Sequence, residues 1–129
     1  MKIGYDSDGF DPPAAVARVI FSNPNTGQRL DDVRMLLDSG AEMSALPLKV
    51  ATQLGSNMQD APHLKIEGFD GVRRPAVICR VHMKFGTMNV EGDFIVLDQE
   101  YGILGRDILN CGELVLDGPA LKWQFSRPH

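Results

Sequence analysis

The stretch MLLDSGAEMSALP, Met35 to Pro47, sets one carboxylate at the end of an apolar run. Asp38 follows Leu36 and Leu37, and Ser39 and Gly40 turn the chain before it becomes apolar again. A carboxylate at the mouth of a buried strand is costly unless something pairs with it or uses it. The chemistry open to it is proton transfer. Two carboxylates placed close together cannot both ionise, so they share one proton and offer an acid and a base to a single water molecule. Taken alone, Asp-Ser-Gly is also an ordinary turn. It occurs once in the chain, because DSDG at 6–9 breaks the pattern.

The elements that must position Asp38 read as short strands. AAVARVIF (14–21) is a strand, SNPNTGQ (22–28) is dense in turn residues, and VRMLL (33–37) is the returning strand that delivers Asp38. SALP (44–47) is a further short strand. PLKVATQLG has Pro47 near its start and Gly55 just past its end, which predicts a short helix. HLKIEGF meets VRRPAVICRVHMKF across an Asp-Gly turn, a strong hairpin signal. Pro75 cannot donate to a ladder, so its part of the second strand is expected at an edge or in a projecting arm. MNVEGDFIVL (88–97) pairs back after a turn at Gly86 and Thr87. YGILG is a buried strand ending at Gly105, RDILN a helical turn or two, and ELVLDGPALKWQF (113–125) a last hairpin.

The totals fit this reading. With 129 residues, 43% of them apolar and 23% charged, the chain suits one globular domain with a modest core. A net charge of −4 with no Lys/Arg run argues against nucleic acid or an anionic membrane as partner. No apolar stretch reaches the ~18 residues of a membrane span. MKIGYDSDGFDPP lacks the apolar middle of a signal peptide, and Cys79 and Cys111 read as reduced core thiols, so a cytoplasmic setting is expected. His63, His82 and His129 are scattered, which leaves no metal-ligand spacing.

Three features stand beside Asp38. It sits where a strand leaves the core; ILGRD (103–107) supplies two apolar residues and a glycine before a short helix; and the EGFDGVRRP hairpin lies between them, able to project over a cleft. Together they resemble the retropepsins, the single-lobe aspartic proteases, over about residues 14–125. The run RVHMKFGTMNVEGDFIVLDQEYGILGRDIL with its closing hairpin is most similar to the protease domain of the DNA-damage-inducible ubiquitin-shuttle family and to LTR-retrotransposon proteases. The resemblance implies an all-β, closed barrel with a flap hairpin and one or two short helices. It also implies an aspartic endopeptidase with no cofactor, acting on extended polypeptides. One chain supplies one Asp38, so the second carboxylate must come from a second copy, in a homodimer.

The resemblance assigns further roles. Ser39 is expected to hydrogen-bond across the two-fold axis, and Gly40 to let backbone pass close to the paired acids. Ala41 takes a place where pepsin-like relatives often carry a hydroxyl. Glu42 and Arg106 stand where the family forms an ion pair near the dimer interface; as residues alone, Arg106 and Asp107 equally fit helix-start charges on a solvated surface. Phe69, Asp70, Gly71 and Val72 are expected at the flap tip, with Phe69 either a substrate contact or an exposed turn aromatic. Tyr101 and Ile103 are expected to wall the substrate pockets. Asp107 reads as a structural hydrogen-bonding residue, Trp123 as core or interface filling, and His82 as a half-exposed strand residue. Residues 1–13 are left as a flexible N-terminal extension, a pro-segment or a dimer-forming strand of one domain spanning 1–129. Two other classes compete: a catalytically quiet dimeric peptide-binding module of the same fold, and an unrelated β-barrel ligand binder with a chance Asp-Ser-Gly.

Overall fold

The structure is a computed structural model that describes residues 2–67 and 70–128. The elements run β1 (Ile3–Gly4), β2 (Val16–Ser22), β3 (Arg29–Leu37), β4 (Ala45–Pro47), α1 (Leu48–Leu54), β5 (Met58–Glu67), β6 (Arg73–Phe85), β7 (Met88–Leu97), β8 (Gly102–Leu104), α2 (Arg106–Leu109), β9 (Glu113–Asp117) and β10 (Lys122–Ser126). Seven strands form one sheet in the order β2-β3-β8-β4-β7-β6-β5. The far end of β2 also pairs with β6, through Ile20 with Lys84 and Ser22 with His82. That second pairing closes β2, β3, β8, β4, β7 and β6 into a six-stranded barrel and leaves β5 attached along β6. The fold is an all-β closed barrel with two short helices, within the one or two expected.

Period-two patterning explains the barrel wall. In β6, Val81, Met83 and Phe85 are buried while His82 and Lys84 face outward, as alternate side chains of a half-buried strand must. Phe21 and Phe94 meet edge to face at 5.4 Å between centroids, worth about 1 kcal/mol beyond their burial. α1 starts at Pro47 and stops at Gly55, whose left-handed φ of 65° lets its N–H turn back onto the Thr52 carbonyl. Its buried face is Val50, Ala51 and Leu54.

Pro75 lies where the sequence put it. The β6–β7 ladder begins only at Ile78, so Pro75 pairs with Lys65 of β5 alone, in an arm beyond the barrel. A register shift between Ala61 and Lys65 bends that arm.

Within the N-terminal region, Ile3 and Gly4 pair with Trp123 and Lys122, and Asp6 and Ala14 exchange backbone hydrogen bonds. Arg34 and Arg18 of the barrel wall reach the half-buried Asp6 carboxylate at 3.5 and 3.3 Å. Apart from the Asp6–Ala14 pair, these links join positions 12 or more residues apart in the chain, which a local pattern cannot reveal. Cys111 is an exposed thiol rather than a core one, because the chain leaves α2 there and turns along the surface; Cys79 is buried as expected.

Candidate active site

Parallel pairing of β3 with β8 puts Leu36 beside Ile103 and Leu37 beside Leu104. β8 also pairs on its other side with β4, at Ala45 and Ile103. The two chain segments that follow β3 and β8 therefore cross next to each other, and Asp38 lies at that crossing. Its N–H donates to the Leu104 carbonyl at 3.0 Å. The Gly40 N–H donates to Asp38 Oδ1 at 2.9 Å, so one carboxylate oxygen is fixed by backbone while the side chain stays half-exposed.

Two glycines make the crossing possible. A Cβ on Gly102 would come within 2.2 Å of Met35 Sδ and 2.6 Å of the Ala45 carbonyl oxygen. A Cβ on Gly105 would meet the Ala41 carbonyl at 2.9 Å. In this chain the apolar-apolar-glycine segment is thus a requirement for close approach of backbone.

The segment carrying Asp38 is tied to α2 by a compact network. The Ser44 hydroxyl donates to Asp107 Oδ1 at 2.7 Å and accepts the Gly105 N–H at 2.9 Å, while the Ser44 N–H donates to Asp107 Oδ2 at 3.0 Å. Asp107 is therefore a structural acceptor, as its residue type suggested. The sequence reading gave Ser44 no role. Its only local signal is a hydroxyl beside an apolar strand, and its partners lie far along the chain.

Arg106 donates to the Ser39 carbonyl at 2.8 Å, and its N–H to the Ala41 carbonyl. Among the described residues it makes no ion pair, with Glu42 or any other acid. Glu42 instead offers its carbonyl to the Asp107 N–H at 3.3 Å and leaves its carboxylate exposed. Ser39 is exposed beside Asp38.

A groove of about 520 Å³ opens beside Gly40 and Ala41. Ile103, Ile95 and Leu97 supply apolar floor, and Leu64 and Ile66 of β5 overhang it. Glu42, Lys65, Glu67 and Arg73 give its rim both signs of charge. Ile103 lines this groove, and Tyr101 packs on Phe10, with ring centroids 4.8 Å apart. At the tip of the arm, Gly71 has φ +75°, Asp70 pairs with Arg74 at 2.9 Å and Val72 is exposed. The Arg74 hydrogen bond, with the Val72 N–H, holds the Asp70 carboxyl below its usual range. Phe69 lies outside the described residues.

Residues 25–108 match the sequence pattern of the aspartyl protease family. The chain belongs to that family. No curated protein matches this aspartyl protease family member closely enough to add to that. Among solved structures it is similar to the EIAV protease complexed with the inhibitor HBY-793, at 25% identity and a TM-score of 0.57, over 75% of this chain and 86% of that one. It is also similar to a retropepsin-like aspartic protease from Rickettsia conorii, at 16% identity and a TM-score of 0.60, over 97% and 87%. A third likeness, to the simian foamy virus (mac) protease, has 14% identity and a TM-score of 0.51, over 74% and 92%. The last two bear on the fold alone.

Elsewhere in this aspartyl protease domain, burial, helped by Asp93, pushes the Cys79 thiol up to about 11, which suits an inert core group. No helix of the described residues is long and apolar enough to cross a membrane.

Proposed function

We propose that two copies of this chain form an aspartic endopeptidase with the Asp38 carboxylates side by side on the dimer axis. The observation that carries this reading is the placement of Asp38, half-exposed and with one carboxylate oxygen fixed by the N–H of Gly40, a residue that lines an apolar-floored groove. A polypeptide would lie extended in the groove, with the β5–β6 arm acting as flap and Asp70, Gly71 and Val72 at its tip.

The chemistry needs no metal or nucleophilic side chain. The ionised carboxylate takes a proton from water as the water oxygen attacks the scissile carbonyl carbon. The protonated carboxyl gives its proton to the carbonyl oxygen, leaving a neutral gem-diol and the opposite charge distribution on the pair. Proton transfer to the amide nitrogen then lets the C–N bond break. Ser39 is proposed to hold the two Asp38 loops together across the axis, and Gly40 and Ala41 to border the scissile bond. Arg106 stiffens the loop through the Ser39 carbonyl.

Support for a partner copy comes from the second, three-stranded sheet. In the sheet β1-β10-β9, strand β9 has an unpaired edge. Ile3, Leu116 and Leu121 leave 41, 56 and 48% of their surface exposed on or beside that sheet. An open edge flanked by apolar side chains is a natural template for pairing with another chain. A reducing, cytoplasmic setting remains part of the reading, on the strength of two free thiols.

Asp38→Asn tests the assignment. It preserves shape and removes the acid–base group, so peptide cleavage should fall at least about 10²-fold while the folded dimer persists. Activity within tenfold of wild type would overturn the proposal.

A further inference from the structure

The loop 6–14 is built with more care than a terminal segment needs. Asp6 and Ala14 close it with a pair of backbone hydrogen bonds of 2.8 and 2.9 Å. Arg34, on β3 and only 19% exposed, spans it: its guanidinium donates to the Asp8 carbonyl at 2.6 Å and reaches Asp6 Oδ2 at 3.5 Å. The same guanidinium lies 5.9 Å from the centre of the Phe10 ring, within cation–π range. Phe10 is thereby pressed onto Tyr101, at 4.8 Å and an interplanar angle of 52°.

The position of Tyr101 gives this contact its meaning. Tyr101 is the bend residue just before β8; Gly102 and Leu104 are buried, so continuing the strand's alternation back by one residue sets Tyr101 on the same side as Ile103, about 6.6 Å away. Ile103 is part of the groove floor, one residue before the Leu104 carbonyl that accepts the Asp38 N–H. Tyr101 is thus next in line on the side that Ile103 begins, just beyond the residues that line the groove of one chain. The Gln99 amide, donating to the Tyr101 carbonyl at 3.0 Å, fixes the backbone there, and Phe10 fixes the ring.

We propose that Phe10 is a positioning residue for substrate selection: held by Arg34, it sets the Tyr101 ring as a flat aromatic wall that favours a bulky, aromatic side chain next to the scissile bond. This rests on the protease reading above. An unbacked Tyr101 would be free to change rotamer and would present no fixed face. A packed ring offers an edge or face to a second aromatic group, and such pairs contribute beyond simple burial. The N-terminal loop thereby becomes part of the specificity apparatus rather than a tether.

The test uses two peptides that differ only in one residue flanking the cleaved bond, Phe in one and Ala in the other. Wild type, Phe10→Ala, Phe10→Leu and Phe10→Tyr are compared as full chains. Phe10→Ala should cost the Phe peptide about three- to tenfold more kcat/KM than the Ala peptide, with the loss mainly in KM. Phe10→Leu, which keeps apolar volume and guards against a folding defect, should lose most of the same discrimination, and Phe10→Tyr should restore it. Equal losses for both peptides would make Phe10 a merely structural residue and overturn the proposal. So would an unchanged Phe-to-Ala ratio. Failure of wild type to cleave any peptide would overturn the protease reading and this inference with it, a result distinct from cleavage without discrimination.

Discussion

At the base of the groove, the segments after β3 and β8 are bound to each other at nearly every residue. Asp38 donates to Leu104, Arg106 to Ala41, and Ser44 to Asp107, while Gly102 and Gly105 leave no room even for a methyl group. The arm above it is made differently. Over residues 62–67 and 73–75, among the described residues, β5 and β6 pair with no strand but each other, most side chains are exposed, and Asp70 and Arg74 form a surface ion pair. In the proposed dimeric protease, the difference separates two demands on one site. A carboxylate that must meet its twin needs a base fixed to fractions of an ångström. A cover that admits and releases a polypeptide needs few buried contacts and a weak clasp.

The contrast can be broken most severely at the base. Gly102→Ala should destabilise the fold by about 3 kcal/mol, since its methyl meets the Ala45 carbonyl oxygen, which is backbone, as well as the end of the buried Met35 side chain. Urea titration measures it; a loss under about 1 kcal/mol would show that the crossing has slack.

Ser44→Ala comes next. It strips Asp107 of its hydroxyl partner and leaves the Gly105 N–H without an acceptor, at a cost of about 1–3 kcal/mol. The same change should lower kcat more than KM, because Gly105 and Arg106 support the loop that carries Asp38.

These residues also mark what was legible in sequence. Strand β7 runs over 88–97, pairing back after the turn at Gly86 and Thr87 as expected, Gly55 caps α1, and the Asp-Gly turn with Pro75 announces an arm. Asp38 and the apolar-glycine segment could be singled out because a strand end and a close approach leave local marks. The Ser44–Asp107 network, the Arg34 hold on the N-terminal loop and the pairing of β1 with β10 leave none. Each joins residues whose separate types are ordinary, and only the closed barrel brings them together. Arg106 shows the limit from the other side: its place in the motif was readable, but the partner it chose was the Ser39 carbonyl rather than the Glu42 carboxylate.

A smaller effect tests the chemistry of the base. A hydroxyl at position 41, donating to a catalytic carboxylate, would favour the ionised form. Ala41 lacks it, so a mildly acidic optimum, roughly pH 4.5–6.5, is expected for wild type. In Ala41→Ser the acidic limb of kcat/KM should move to lower pH; no shift, or an upward one, would make Ala41 a packing residue only.

The arm should respond least. Asp70→Asn removes an exposed clasp, so the melting temperature should not move measurably, while KM for peptides should rise. Asp70 is held below its ordinary value of 3.8, so the clasp is present above that pH and is lost as pH falls through the lowered value. A mildly acidic working range leaves it intact. A clear drop in melting temperature would mean that the arm carries fold stability, and the division between base and arm would fail.

The central claim is that one chain holds half a site. Specific activity should be followed by serial dilution alongside sedimentation of the same samples. The account predicts that activity per chain falls as the dimer dissociates, with total rate approaching the square of concentration. Activity per chain that stays constant where sedimentation finds only monomer would contradict it.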